Sequence, residues 1–242
     1  MQISEHIYMV LGPMYANLAN VYVIKGDNSL IMVDSAEDEK DMKVIRQNLK
    51  RFNLDEYQVS HVILTHKHFG HIGNAAYLQK QGARIICGEG DAEAIESGTL
   101  NEVMDFSPFQ PERDYEPCKA DIRIKDNDEL ELDGVKLKFY QVDGHTDGSI
   151  IFEYQEGEET VLFVGDVIGI TEDCRDTVLS WEGAEDFDVE KNFRSVLRMA
   201  EMKCDIILPG HHQLCMQNGS NMLKKAINTA LLKYRQPYID KE

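Results

Sequence analysis

An α+β fold of layered sheets, with helices packed on their outer sides, is predicted by three features of this sequence. Short apolar, β-branched runs recur along the chain, helix-period segments separate them, and residues able to bind a metal follow directly on several of the runs. Residues 20–25 and 30–33 flank the turn-forming Gly26-Asp27-Asn28 and read as an antiparallel hairpin. In 37–52, Met42, Ile45, Leu49 and Phe52 recur at helical spacing, with Ser35 and Asp38 as a capping-box variant. A buried strand at 59–65, a helix at 71–81 stopped by Gly82, and a strand at 83–87 follow. Between 99 and 119 the pattern dissolves, because Pro108, Pro111 and Pro117 interrupt Met104, Phe106, Phe109 and Tyr115. Such a loop is either a binding lid or a surface connection with aromatics packed beneath it.

Runs at 121–124, 129–132, 135–142, 149–154 and 160–164, turning at Gly134 and Gly157, read as a second, mostly antiparallel sheet. A helix at 189–202 with Phe193, Val196, Leu197 and Ala200 inward, a strand at 204–208 and a helix at 222–234 complete the pattern. No linker or repeat divides the chain, so residues 1–242 are expected to form one domain.

Composition narrows the function. Acidic side chains outnumber basic ones 43 to 25, giving a formal charge of −18 that repels nucleic acid and anionic membranes. No apolar run reaches the roughly 18 residues of a membrane span, and Met1-Gln2-Ile3-Ser4-Glu5-His6 lacks the basic-then-apolar pattern of a secretory signal. The five cysteines are scattered and odd in number, as expected of reduced thiols. Together these features favour the cytoplasm and argue against a nucleic-acid or membrane partner; they identify no partner and specify no oligomeric state.

The chemistry is concentrated in Thr65-His66-Lys67-His68-Phe69-Gly70-His71, where a strand gives way to a helix. Residues two apart at a strand end point the same way, so His66 and His68 can share an ion, while His71 approaches after a bend. Three later segments also end apolar runs with potential ligands: Gly144-His145-Thr146, Gly165-Asp166 and Pro209-Gly210-His211.

In this order, these elements resemble the H-x-H-x-D-H, G-H-T, G-D and P-G-H motifs of the metallo-β-lactamase superfamily, and the match runs from Leu30-Ile31-Met32-Val33-Asp34-Ser35 to His211. The resemblance implies a four-layer αββα sandwich of two mixed β-sheets flanked by helices, with metal at one edge. It implies that His66, His68 and His145 bind a first ion, Asp166 bridges, and His71 and His211 serve a second. Asp34 would orient ligand histidines from behind, or merely end its strand and cap the next helix.

The sequence departs from the family at Gly70, which stands where the family carries the aspartate that binds the second ion. One tightly held zinc and a weak or empty second site are therefore expected. Asp147, where a proline is common, either replaces the lost carboxylate or faces solvent in a turn.

The implied reaction is hydrolysis of a small-molecule lactone, ester, thioester or amide, with Asp166 orienting water and, if the second site is empty, His71 or His211 transferring a proton. Phe106, Phe109 and Trp181, in the loops 99–119 and 171–187, are candidate pocket walls. A glyoxalase II assignment would expect a sizeable carboxy-terminal helical extension. Two alternatives stay open: a mononuclear iron dioxygenase of the persulfide dioxygenase type, using His66, His145 and Asp166, and a non-catalytic metal- or ligand-binding protein.

Overall fold

The apolar runs pair into two main sheets in the computed structural model, which describes residues 1–15, 17, 19–98, 115–182 and 186–239. The first sheet contains β1 (Ile7–Leu11), β2 (Val21–Lys25), β3 (Leu30–Val33), β4 (Val59–Leu64), β5 (Arg84–Gly88) and β6 (Ile122–Ile124), in that spatial order. β1, β2 and β3 are antiparallel, and β3 to β6 run parallel. Parallel neighbours need crossovers, and helices supply them: α1 (Glu39–Arg51), the pair α2 (Phe69–Ile72) and α3 (Ala75–Lys80), and α4 (Glu89–Ser97).

The second sheet contains β7 (Glu129–Leu132), β8 (Val135–Gln141), β9 (Ile150–Glu156) and β10 (Glu159–Gly165). After a small hairpin of β11 (Ile168–Ile170) and β12 (Thr177–Leu179) and helix α5 (Val189–Met199), β13 (Ile206–Pro209) joins it parallel to β10. Helix α6 (Gly219–Ile239) ends the fold. The order in this sheet is β13-β10-β9-β8-β7.

Three apolar layers hold these elements together. Ile31, Val33, Ile63 and Ile86 of the first sheet meet Phe139, Phe152 and Phe163 of the second. On the first sheet's other face, Met32, Val62 and Ile85 meet Met42, Ile45 and Leu49 of α1 and Ile95 of α4. On the second sheet's far face, Ile151, Leu162 and Ile207 meet Val196 and Met199 of α5 and Leu223 and Ala226 of α6. The architecture is therefore the expected αββα sandwich. Coverage on both sides explains why all four residues of β3 are buried rather than alternating.

Several local expectations are corrected. Asp38 alone caps α1, accepting from Lys40 N at 2.7 Å and Asp41 N at 3.1 Å, while the Ser35 hydroxyl donates to His71 O. The helix expected at 71–81 is broken at Gly73, which packs so tightly that a Cβ there would lie 1.9 Å from Glu37 O. Helix α4 was not anticipated; Glu89 and Asp91 favour its first turn, and Gly98 ends it at φ +73°. Part of 171–187 is the β12 arm rather than loop. Leu197 is 40% exposed, and Met199 takes the inward place assigned to it.

Phe106 and Phe109 lie outside the described residues. Tyr115, at the edge of that segment, is buried and donates to Ala94 O at 2.5 Å. Among the described residues no helix is long and apolar enough to cross a membrane.

Phe152 stacks on Phe163 with ring centroids 4.5 Å apart, at the middle of the inter-sheet layer. Phe163→Ala is expected to lower the unfolding free energy by about 3–5 kcal/mol, and Asp38→Ala by about 1 kcal/mol, both measured by urea denaturation.

Candidate metal centre

Strand ends deliver the candidate ligands to one edge of the two sheets. β4 runs into Thr65-His66, β10 into Asp166 and β13 into Gly210-His211, while the connection between β8 and β9 carries His145. Pairing of Gly165 with Pro209 sets Asp166 beside Gly210. A Cβ at Gly210 would lie 2.2 Å from Asp166 Oδ1 and 2.9 Å from His71 Cε1, so a side chain there would displace two of the candidate ligands. Thr65 O accepts from Ile150 N at 2.9 Å, tying the two sheets together beside the site.

All six sequence-predicted ligands meet here. One donor atom from each of His66, His68 and His145 lies within 4.8 Å of the others, and the same holds for His66, His71 and Asp166. Either group could hold a metal ion. Asp166 Oδ2 lies 3.7 Å from Nε2 of His66 and of His145, 3.4 Å from Nε2 of His71 and 3.2 Å from Nε2 of His211. His71 and His211 face each other with Nε2 atoms 3.1 Å apart.

Asp34, at the end of β3, stands behind this cluster. It accepts from Thr65 N at 2.8 Å and from Thr65 Oγ1, and lies 2.8 Å from His71 Nδ1. The Thr65 hydroxyl proton goes to Asp34, so His66 Nδ1–H must donate to Thr65 Oγ1, 3.0 Å away. His66 therefore carries its proton on Nδ1 and turns an Nε2 lone pair inward, while His71 Nδ1–H donates to Asp34 Oδ2 and its Nε2 faces Asp166 and His211. Asp34 thus bonds Thr65 and His71 and does not cap α1.

Among the described residues, buried His66 Nε2, His145 Nε2 and Asp166 Oδ1 have no hydrogen-bond partner. Each such group costs about 1–3 kcal/mol unless something satisfies it. Imidazole and carboxylate donors converging with free lone pairs fit a divalent cation.

The protonation pattern is divided. Burial, reinforced by neighbouring imidazoles, holds His66 and His68 well below the usual histidine range. Burial also lowers His145, to about 4, against the pull of Asp166. These three are neutral and ready to donate. Burial opposes charge on His71 too, but Asp166 and Asp34 on either side prevail and raise it to about 10. Burial would lift the Asp166 carboxyl; His211, His71 and His66 instead hold it well below the ordinary carboxylate range.

A pocket of about 280 Å³ opens onto this edge. Gly70, His71, Asp166 and His211 line it, with Trp181 and Phe69 as apolar walls. Trp181 stands 6.0 Å, ring to ring, from His68. Asp147 does not join the cluster: it is exposed and paired with Lys191 at 2.7 Å. Sequence reasoning missed Asp91, a fully buried carboxylate bonded to both histidine loops. Its signal, an acidic residue in a first helical turn, required recognising α4.

Comparison with known proteins agrees with this geometry. The metallo-beta-lactamase superfamily model matches residues 14–211. A hydroxyacylglutathione hydrolase of Prochlorococcus marinus is 27% identical over 161 residues, covering 66% of this chain and 53% of that protein. One from Pseudomonas syringae is 28% identical over 113 residues, covering 47% of this chain and 35% of its own. The chain thus spans about half or less of the length of these relatives.

Among solved structures, the subclass B3 metallo-beta-lactamase BJP-1 of Bradyrhizobium japonicum superposes with a TM-score of 0.75 at 20% identity, covering 100% of this chain and 93% of that one. A beta-lactamase from Chitinophaga pinensis gives 0.72 at 21%, covering 100% and 94%. These likenesses concern the fold. With its αββα layers, its ordered strand-end motifs and a family match across most of its length, this chain belongs to the metallo-beta-lactamase superfamily.

Proposed function

We propose that this protein is a cytoplasmic, single-domain, metal-dependent hydrolase of a small carbonyl substrate (a lactone, ester, thioester or amide), working with one tightly held zinc ion. The observation that carries this reading is the buried trio His66, His68 and His145, set beside Asp166 at the mouth of a pocket. Zinc bound there would polarise a carbonyl and bring the pKa of water to about 7. Ionised Asp166, whose Oδ1 has no hydrogen-bond partner among the described residues, would orient the attacking water. His211, 34% exposed on its side chain, is placed to pass a proton to the leaving group. Trp181 and Phe69 give the substrate an apolar wall and exclude water.

The relatives named hydroxyacylglutathione hydrolase support keeping a thioester within the substrate class. The five free cysteines suit a reducing compartment. The dioxygenase alternative keeps one supporting observation, the equal 3.7 Å reach of Asp166 to His66 and His145.

Gly70 bears on the second ion. A Cβ at this position would meet nothing within 4 Å, so packing does not demand glycine there. His71, His211 and Asp166 remain for a second ion, and His71 must first lose the proton that Asp166 and Asp34 stabilise.

Elemental analysis of protein purified without added metal is expected to find about one zinc per chain, lost in His66→Ala. Iron would favour the dioxygenase, and two tightly held ions would refute the single-ion site. Gly70→Asp is expected to add a second tight equivalent in calorimetric zinc titration without loss of thermal stability; unchanged stoichiometry would show that Gly70 does not limit the site.

The pH dependence has a definite sign. His71 stays protonated up to about 10, so affinity for any second ion should rise with pH, by about tenfold per unit for one displaced proton. Neutral His145, lowered to about 4, gives first-ion affinity little slope between pH 6 and 8. Zinc competition titrations at several pH values check both.

A further inference from the structure

Asp91 lies in the first turn of α4, outside every motif, and is fully buried. Its Oδ2 accepts from Lys67 N at 2.9 Å and from Thr146 Oγ1 at 2.7 Å, and its Oδ1 accepts from Gly148 N at 3.0 Å. Lys67 separates His66 from His68, and Thr146 follows His145. One carboxylate therefore joins the two loops that carry all three histidines of the trio.

The join is tight on both sides. A Cβ at Gly148 would lie 2.1 Å from Asp91 N, and one at Gly90 would lie 2.3 Å from Asp147 O. The single hydroxyl proton of Thr146 goes to Asp91, so Ser149 Oγ–H donates in turn to Thr146 Oγ1, 2.7 Å away. Among the described residues, neither ring nitrogen of His145 has a hydrogen-bond partner. The backbone of its loop, and hence Asp91, is what sets the ring's position.

We infer that Asp91 is a positioning residue for the first ion, fixing the separation of His145 from His66 and His68 without touching metal or substrate. This rests on the trio being the metal site. Asp34 does the corresponding work on the opposite side, through Thr65 and His71. In Asp91→Asn an amide N–H must face one of the three protein donors, so at least one tie breaks. Thr146→Val removes one tie and keeps the shape, whereas Thr146→Ser keeps the hydroxyl.

The test is zinc competition titration and cobalt absorption spectroscopy on these variants, with circular dichroism to confirm folding. Asp91→Asn is expected to bind zinc about 10–100-fold more weakly than wild type, with an altered cobalt spectrum. Thr146→Val should shift both in the same direction by less, Thr146→Ser should stay near wild type, and the double variant Asp91→Asn/Thr146→Val should be less than additive. A folded Asp91→Asn with wild-type affinity and spectrum overturns the inference. Should Asp91→Asn fail to fold, Thr146→Val decides, and wild-type affinity there overturns it equally. A wild-type protein that binds no zinc refutes the metal site itself, and the role of Asp91 with it.

Discussion

Buried donor atoms without partners are the constraint around which this molecule is arranged. His66 Nε2, His145 Nε2 and Asp166 Oδ1 are out of water and without a hydrogen-bond partner among the described residues, a condition that lowers stability unless a cation arrives to share their lone pairs. Holding such atoms together needs a rigid frame. The ends of β4, β10 and β13 provide it, because strands locked between apolar layers cannot relax to let the donors find other partners.

Two carboxylates outside the cluster make the frame specific. Asp34 fixes the proton on His71 directly and on His66 through Thr65, so that both rings turn Nε2 inward. Asp91 ties the loop of His66 and His68 to that of His145. Close backbone approach at Gly148 makes room for the Asp91 tie. The electrostatics follow from the same arrangement: neutral histidines on one side, and a protonated His71 between two carboxylates on the other.

Much of this was legible in the sequence because its determinants are local. A ligand placed directly after an apolar run must emerge at a strand end, so the convergence of His66, His145, Asp166 and His211 could be read from order and spacing. Asp91 could not be found this way, since its partners lie 24, 55 and 57 residues away and its helix carries little apolar periodicity. The break at Gly73 is equally non-local, being set by contact with Glu37. The hairpin of β11 and β12 was missed because its short arms are stabilised by pairing rather than by pattern. Asp147 shows the reverse case: sequence position made it a possible ligand, and pairing with Lys191 directs it to solvent.

The most direct measurement of the central claim is anomalous diffraction from crystals of the zinc-loaded protein, recorded at the zinc absorption edge. The expected result is one strong peak among His66, His68 and His145, about 2.0–2.1 Å from the histidine nitrogens, with little or no density between His71 and His211. No peak at the trio, or two peaks of equal height, would contradict it.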